Sequence, residues 1–550
     1  MLSGEQEILE RWTEYFRDLL SGEQEELIVV EEEGEQRHEN DHQIEPPTKI
    51  EVDNAIKKLH NNKAPGEDEI VSELIKHGGE ELAKQMHQLI SAIWDKEQLP
   101  EQWKTGLVFP IYKKGDKLEC SNYRGITLLN VAYKILSSVI LSRLKGFSEE
   151  AVGEYQAGFR RNRSTVDQIF TLRQAMEKCY EYNTDLHMLF VDFKQAFDSI
   201  NRKKLLEYLS KKGLPTKMCK LIKMVFEGTK AKVLVGGKTG EHFHLQKGVR
   251  QGDALSATLF NLALQQAVDE LNPTGHIIYK RQQVCAYADD ILLMSRSVSG
   301  LKDMHGILSQ AGKLIGLEVN VKKTKYLRMT ADERRRALEN LTCGDLTFEA
   351  VENFVYLGAS VNNSNKTSDE IQRRIMAGNR AYHANQKLFK SSIISKSSKM
   401  KIYKTLIRPV VAYGSETWNI TNRDAERLRI LERKIIRKIM GPVQEEGEWR
   451  IRSNREIEEY LEDGDIVRFV KASRIRWAGH VERMTENRIP KLIFRSRMDG
   501  RRLQGRPRNR WADELLRDLR QLKVKDWKRV AKDREQWKEI VREAKVHKEL

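Results

Sequence analysis

The chain has 550 residues, enough to bury a large core and to hold several subdomains. Hydrophobic content is 39% and charged content 32%, a polar composition but not that of a disordered chain. The net charge of +16 is unevenly placed: residues 1–50 carry about −11 and the remainder roughly +27, as a polyanion-binding surface would. No apolar run approaches the ~20 residues that span a bilayer, and the acidic start is not a secretory signal. Cys120, Cys179, Cys219, Cys285 and Cys343 lie far apart with no C-x-x-C pair. That argues against a zinc knuckle and a disulfide framework, so a soluble, intracellular protein in a reducing compartment is expected.

Ile8, Trp12, Tyr15, Phe16 and Leu19 follow helical spacing and predict an amphipathic N-terminal helix over 1–22. Residues 23–47 are acidic and read as a linker ending at Pro46-Pro47. Helical patterns resume at Lys49, are broken by NNKAPGED with its Pro65-Gly66 turn, and return over Leu82–Trp94. Leu107 to Leu136 reads as strand, basic turn, strand and helix, which holds Lys113, Lys114 and Arg124 close together. HMLFVDF, His187 to Phe193, is a short apolar run of β character. Helices are expected over 201–210 and after Pro215, and a hairpin around Gly236-Gly237. CAYADDILLM, Cys285 to Met294, has apolar flanks around Asp289 and Asp290, which predicts a hairpin with its acids at the turn. A helix near 301–314, the segment LEVNVKKTKYLRM, the strand FVYLGASV and a mainly helical stretch over 371–440 follow. The last hundred residues sum to about +10, with Arg501, Arg502, Arg506, Arg508 and Arg510 around GRPRNRW. Trp477, Trp511, Trp527 and Trp537 in that region suit either base stacking or a packed core. His480 has no companion at ligand spacing and is assigned to structure.

Two adjacent carboxylates repel and raise each other's pKa unless a cation neutralises them. A hard divalent metal suits oxygen donors, and a third carboxylate, Asp192 at the end of the His187 strand, is the candidate to complete the set. Such a site can hold two Mg²⁺ about 3.5–4 Å apart, activating a 3′-hydroxyl and stabilising a leaving pyrophosphate.

FVDFKQAFDSI, GVRQGDALSATLF and AYADDILLM, in that order, resemble successive palm motifs of reverse transcriptases. QAGFRRNRSTVDQI, NNKAPGEDEI and NYRGITLLNVAYKIL narrow the resemblance to non-LTR, LINE-like retrotransposon enzymes. EILERWTEYFRDLL, RIRWAGHVERM and GRPRNRWADEL are most similar to RTE-type "endonuclease-reverse transcriptase" proteins of animals. The resemblance implies an α+β right-hand polymerase with an antiparallel palm sheet. Its expected segments are a helix over 1–22, a linker over 23–47, fingers over 48–180 and palm over 181–330. Primer-grip hairpin and helical thumb would occupy 331–445, and a basic helical nucleic-acid-binding region 446–550.

It further implies roles for individual residues. Asp192, Asp289 and Asp290 match the metal-binding catalytic aspartates, with the Phe193 carbonyl as a further ligand. Phe197 matches the steric gate against a 2′-hydroxyl. Asp198 is read as a helix cap or a support to the site. Arg124 and Lys113 match the fingers residues that grip the triphosphate, Arg for its fork of donors. Gln251 and Gly252 line the nucleotide and template pocket. Lys323 matches the general acid to pyrophosphate, with Lys322 and Lys325 as alternative registers. Gly158, Phe159, Arg160, Arg163 and Tyr287 face template or primer, and Tyr356 and Gly358 belong to the primer grip. Glu69 and Ala254 stand where the family commonly has Gly and Pro.

The implied activity is RNA-directed DNA synthesis from dNTPs, with Mg²⁺ or Mn²⁺, in target-primed reverse transcription. Implied partners are an RNA template and a DNA primer or target, without a membrane. No upstream endonuclease pattern is present, so target nicking is expected to come from elsewhere. A ribonucleoprotein in nucleus or cytoplasm is the implied location, with 501–510 as a basic import signal. The competing expectation is an inactive or domesticated polymerase-like RNA-binding scaffold.

Overall fold

The computed structural model describes residues 4–22, 27, 44–271, 277–461, 464–498, 500, 502 and 509–547. The acidic linker lies largely outside the described residues, as do Arg501, Arg506 and Arg508. In chain order the strands are β1 (Thr105–Tyr112), β2 (Tyr123–Leu128), β3 (Leu186–Val191), β4 (Lys230–Val235), β5 (Lys238–Thr239), β6 (Phe243–His244), β7 (Gln282–Tyr287) and β8 (Asp290–Ser295). They continue as β9 (Lys325–Met329), β10 (Leu341–Cys343), β11 (Leu346–Ala350), β12 (Asn353–Tyr356), β13 (Ala359–Asn362), β14 (Val443–Glu445) and β15 (Glu448–Arg450). The chain folds into two compact units, each discontinuous in sequence. One holds Met1–Arg161, Asp192–Pro273 and Met304–Asn320; the other holds Asn162–Val191, Thr274–Asp303 and Val321–Leu550.

The first unit is built on a sheet of order β2-β1-β4-β5, with β6 also paired to β4. β1 and β2 run antiparallel on either side of the basic turn, where the Asp116 carboxylate accepts from the Leu118 N–H. The amphipathic helix Glu5–Leu20 covers this sheet. Leu9 and Phe16 are buried against Val108, Ala231, Val233 and Phe243, with Trp12 and Leu19 beside them. Phe16 seats over Gly125, where a Cβ would lie 2.6 Å from its ring. Trp12 meets Tyr123 edge-on at 4.8 Å between ring centroids. Helices Val131–Ala151, Arg202–Lys211, Thr216–Phe226 and Ser256–Asp269 supply the rest of the apolar interior.

Glu69, where the family commonly has Gly, sits at φ +57°, a conformation that costs an L-residue. Gly66 before it is tightly confined: a Cβ there would fall 2.2 Å from the Asn130 side-chain oxygen.

The second unit holds a six-stranded sheet of order β10-β11-β9-β3-β8-β7. β9, β3, β8 and β7 are mutually antiparallel, while β11 joins β9 in parallel. All six residues of β3 are buried, as are Ile291 to Ser295 of β8, so these strands are covered on both faces and read as apolar runs. Helices Ser368–Ala384, Asn422–Met440 and Ile466–Arg483 pack around Ile371, Tyr403, Leu428, Leu431, Ile435 and Val470. No helix among the described residues is long and apolar enough to cross a membrane.

Two stability predictions follow from these close approaches. Gly125→Ala should lower stability by ~1–3 kcal/mol, because Phe16 and Val108 must move. Glu69→Gly should raise it by about 0.5 kcal/mol through relief of the left-handed backbone. Urea midpoints at constant m-value check both.

Candidate active site

The expected hairpin is present. β7 and β8 close on the pair Tyr287↔Asp290, leaving Ala288 and Asp289 as a two-residue turn. Ala288 takes φ +56°, as the turns that match strand twist require of their first central residue. With β8 buried behind them, the two carboxylates have only the tip: Asp290 is exposed and Asp289 half-buried. Behind the tip, the Gln168 side chain donates to the Ala286 carbonyl at 3.1 Å, fixing β7 to the helix Thr165–Glu181. Gln168 was not singled out from the sequence; its place in QAGFRRNRSTVDQI was the available signal.

β3 pairs with β8 so that Val191 faces Ile291. Asp192 is the next residue after Val191 and Asp290 the one before Ile291. Asp289 and Asp290 thus stand at the β7–β8 tip of the second unit, and Asp192 directly follows β3 in the chain. No group of three His, Cys, Asp or Glu side chains that would cage a metal occurs among the described residues. The donors offered by the hairpin tip are hard carboxylate oxygens, a set that fits a divalent cation such as Mg²⁺ and not a soft metal.

The first unit holds the segments around Phe193, Arg124 and Gln251. Phe193 is buried and bridges to Val319, and the Asp192 carbonyl accepts from the Asn320 N–H at 2.7 Å. Phe197 stacks on Phe260 with ring centroids 4.3 Å apart. The Gln251 carbonyl accepts from the Thr127 N–H at 2.6 Å. Gly252, at φ +130°, lies against the Thr127 carbonyl, where a Cβ would come within 2.3 Å. Arg124 and Lys113 are exposed on β2 and the turn after β1. Asp198 accepts from the Gln251 side chain and does not cap a helix. Burial pushes its carboxyl up to about 7, against the opposing pull of the Gln251 bond and the Arg124 charge.

In the fingers segment, Asn261 donates to the Gly158 carbonyl at 2.9 Å. Phe159 is 63% exposed at φ +57°. An aromatic ring held outward on a costly backbone is suited to stacking. Arg160 is used internally: its guanidinium pairs with Glu149 at 3.0 Å and donates to the Gly153 carbonyl at 2.7 Å.

In the second unit, β12 and β13 form a hairpin turning at Leu357 and Gly358, both at positive φ. Arg373 and Arg374 donate to the Gly358 carbonyl, and the Tyr413 hydroxyl donates to that of Leu357 at 2.9 Å. None of these clamps was foreseen. Tyr356, expected to contact primer, is instead buried with its ring 5.6 Å from Phe190, while Val355 is exposed. Strand alternation turns Tyr356 inward. Lys325 is held by Glu349 at 2.5 Å, leaving Lys322 and Lys323 exposed in that run.

Three of the four C-terminal tryptophans are core, and Trp527 is half-buried against them. Trp477, Trp511 and Trp537 are buried, and Phe170 meets Trp511 at 4.9 Å and Trp477 at 5.6 Å. The indole N–H groups of Trp511 and Trp537 donate to the carbonyls of Glu416 and Ile475. His480 lies against Trp477, with burial lowering its pKa.

Residues 111–361 match the family described as reverse transcriptase (RNA-dependent DNA polymerase). That segment, a little under half of the chain, is similar to reverse transcriptases. The curated proteins it resembles include RNA-directed DNA polymerases of mobile elements. The chain is 25% identical to a probable RNA-directed DNA polymerase from transposon X-element of Drosophila melanogaster, over 85% of this chain and 51% of that protein. It is 25% identical to the RNA-directed DNA polymerase from mobile element jockey of Drosophila funebris, over 72% of this chain and 44% of that protein. A putative transposon-derived protein of Caenorhabditis elegans is 29% identical over 46% of this chain and 94% of its own length. The chain thus spans about half the length of the two Drosophila relatives. Among solved structures, apo telomerase from Candida tropicalis aligns at a TM-score of 0.39 and 13% identity, over 74% of each chain. Reverse transcriptases generally depend on divalent metal.

Because the Tyr356 ring packs while its hydroxyl meets no polar partner, Tyr356→Phe should leave primer affinity unchanged and stability equal or slightly higher. Primer titration and a urea midpoint test this; a loss of primer binding would restore the contact role.

Proposed function

We propose that this protein is an RNA-directed DNA polymerase that extends a DNA 3′ end on an RNA template with dNTPs and Mg²⁺. The observation that carries the reading is the β7–β8 tip. Two carboxylates stand there at the end of a buried apolar hairpin, inside the segment that matches the family. Bound Mg²⁺ would lower the pKa of the attacking hydroxyl and neutralise charge on the leaving pyrophosphate.

Asp192, Asp289 and Asp290 hold and orient that charge. Arg124, with Lys113 beside it, binds triphosphate oxygens, and Phe197 excludes a 2′-hydroxyl from its position on Phe260. Gln251 and Gly252 bring main chain close to the base pair being formed. Lys323 supplies a proton to pyrophosphate. Phe159 stacks on the template, with Gly158 and Arg163 supporting that strand, and the β12–β13 hairpin steadies the primer. In target-primed synthesis the starting 3′ end is a nick, made by an endonuclease activity beside this one.

Primer extension on an oligonucleotide-primed RNA template tests the reading. Wild type should make full-length cDNA. Asp289→Asn should lose at least ~100-fold in rate while RNA affinity stays within about twofold, since binding rests on phosphate contacts. Equal synthesis by the variant would remove Asp289 from the metal site, and RNA binding without synthesis by wild type would identify a scaffold. Phe197→Ala should admit ribonucleotides ~10-fold or more better, checked by competition between dNTP and NTP.

A further inference from the structure

Asp198 has no task in the chemistry above, yet its surroundings are specific. It follows Phe197 in the one-turn helix Ala196–Ser199. Its two carboxylate oxygens accept from the Gln251 amide nitrogen at 3.1 and 3.3 Å. The Val249 N–H donates to the Phe197 carbonyl and the Gly248 N–H to the Ile200 carbonyl, each at 2.8 Å. A Cβ on Gly248 would fall 2.6 Å from the Asp198 carbonyl oxygen. The segment bearing Phe197 and the loop bearing Gln251 are therefore stitched together, with Asp198 as the side-chain stitch. A narrow cavity beside it is lined by Phe16 and Leu20 of the N-terminal helix, by Thr127, and by Lys247 and Arg250.

The charged groups facing Asp198 are Arg124 from β2, Arg202 from its helix, and Lys247 and Arg250 from the loop; Tyr15 approaches from the N-terminal helix. Arg202 is occupied by the carbonyls of Gly248, Phe226 and Leu245. Arg250 stacks over Tyr133 at 4.4 Å and lies 3.7 Å from Asp253. Among the described residues no cation forms an ion pair with Asp198, so Arg124 acts on it through its field alone.

This arrangement opposes stability. A carboxyl raised from its ordinary value to about 7 binds a proton in the folded state that the unfolded chain has released. Its contribution is most favourable below the unfolded value and is lost as pH rises through about 7. A side chain serving only to pack this corner would do better as an amide.

We propose that Asp198 is a positioning residue for nucleotide selection: its carboxylate fixes the Gln251 amide and, through the paired backbones, the Phe197 ring. When ionised, both oxygens accept from Gln251; when protonated, the new O–H competes for the Gln251 carbonyl and favours turning the amide over. The inference rests on the polymerase reading.

The test is steady-state extension from roughly pH 6 to 8.5, a range spanning the carboxyl's titration. Wild type, Asp198→Asn and Asp198→Ala are compared, each with a urea midpoint at about pH 8 and a KM for primer–template. In wild type the KM for dNTP should rise ~5-fold as pH falls through about 7, with KM for primer–template unchanged. Asp198→Asn still accepts one bond from Gln251; it should stay within about threefold of wild type at high pH and lose the inflection. Asp198→Ala should raise KM for dNTP ~10-fold at every pH and relax discrimination against ribonucleotides. Neither variant should lower the midpoint. A wild-type inflection retained in Asp198→Asn, or losses in kcat and both KM values that track a fallen midpoint, would overturn the proposal. Synthesis by wild type with a pH-independent KM overturns it alone, whereas absence of synthesis overturns the polymerase reading and this inference together.

Discussion

The arrangement depends first on a conflict between burial and charge. β3 and β8 are covered on both faces, and no ionised carboxylate can sit along them without a large desolvation cost. The acids of CAYADDILLM are therefore confined to the tip, Asp289 in the turn and Asp290 at the exposed first position of β8, and the two-residue turn sets Tyr287 opposite Asp290. Once that pair is closed, the register of β8 against β3 follows, with Val191 opposite Ile291. A one-residue slip would carry Asp290 into the buried stretch of the sheet, at a desolvation cost. Asp192 is placed by the same constraint, one residue beyond the last buried position of β3.

The segments around Phe193, Arg124 and Gln251 are organised by a different means, close approach of main chain. Gly125 admits Phe16, Gly248 admits the backbone of Asp198, and Gly252 admits the Thr127 carbonyl. Each contact would be lost to a Cβ. The N-terminal helix consequently rests on the sheet that carries Arg124 and lines the cavity beside Asp198 and Gln251. A helix remote in sequence from the polymerase motifs is thus part of their surroundings.

The basic C-terminal region is integrated rather than appended. Arg474 is buried beside Asp518, the Arg488 guanidinium meets Asp167, and Arg502 and Arg510 pair with Glu181. The Trp511 N–H donates to Glu177, a carboxyl that burial pushes up to about 7. Arg488, Arg502 and Arg510 therefore tie the region to the helix Thr165–Glu181. Lys434 and Lys438, one turn apart and exposed on the helix Asn422–Met440, are examples of cations left to solvent.

Local chemistry made much of this legible beforehand. Apolar period and covalent neighbourhood sufficed for the N-terminal helix, the strands β1, β2 and β3, the hairpin at Gly236-Gly237 and the Asp289-Asp290 turn, because each depends on residues within one element. The motif resemblance located the segment that matches the reverse transcriptase family. Tertiary structure decided what depends on distant partners. Tyr356 is core because β12 presents it to Phe190, and Arg160 is spent on Glu149. The tryptophans of the tail pack because a helix three hundred residues earlier supplies Phe170. Asp198 meets Gln251 across 53 positions of chain. No periodicity encodes such a pairing: it exists only where two loops are brought within hydrogen-bond range, and there burial decides the charge a carboxyl carries.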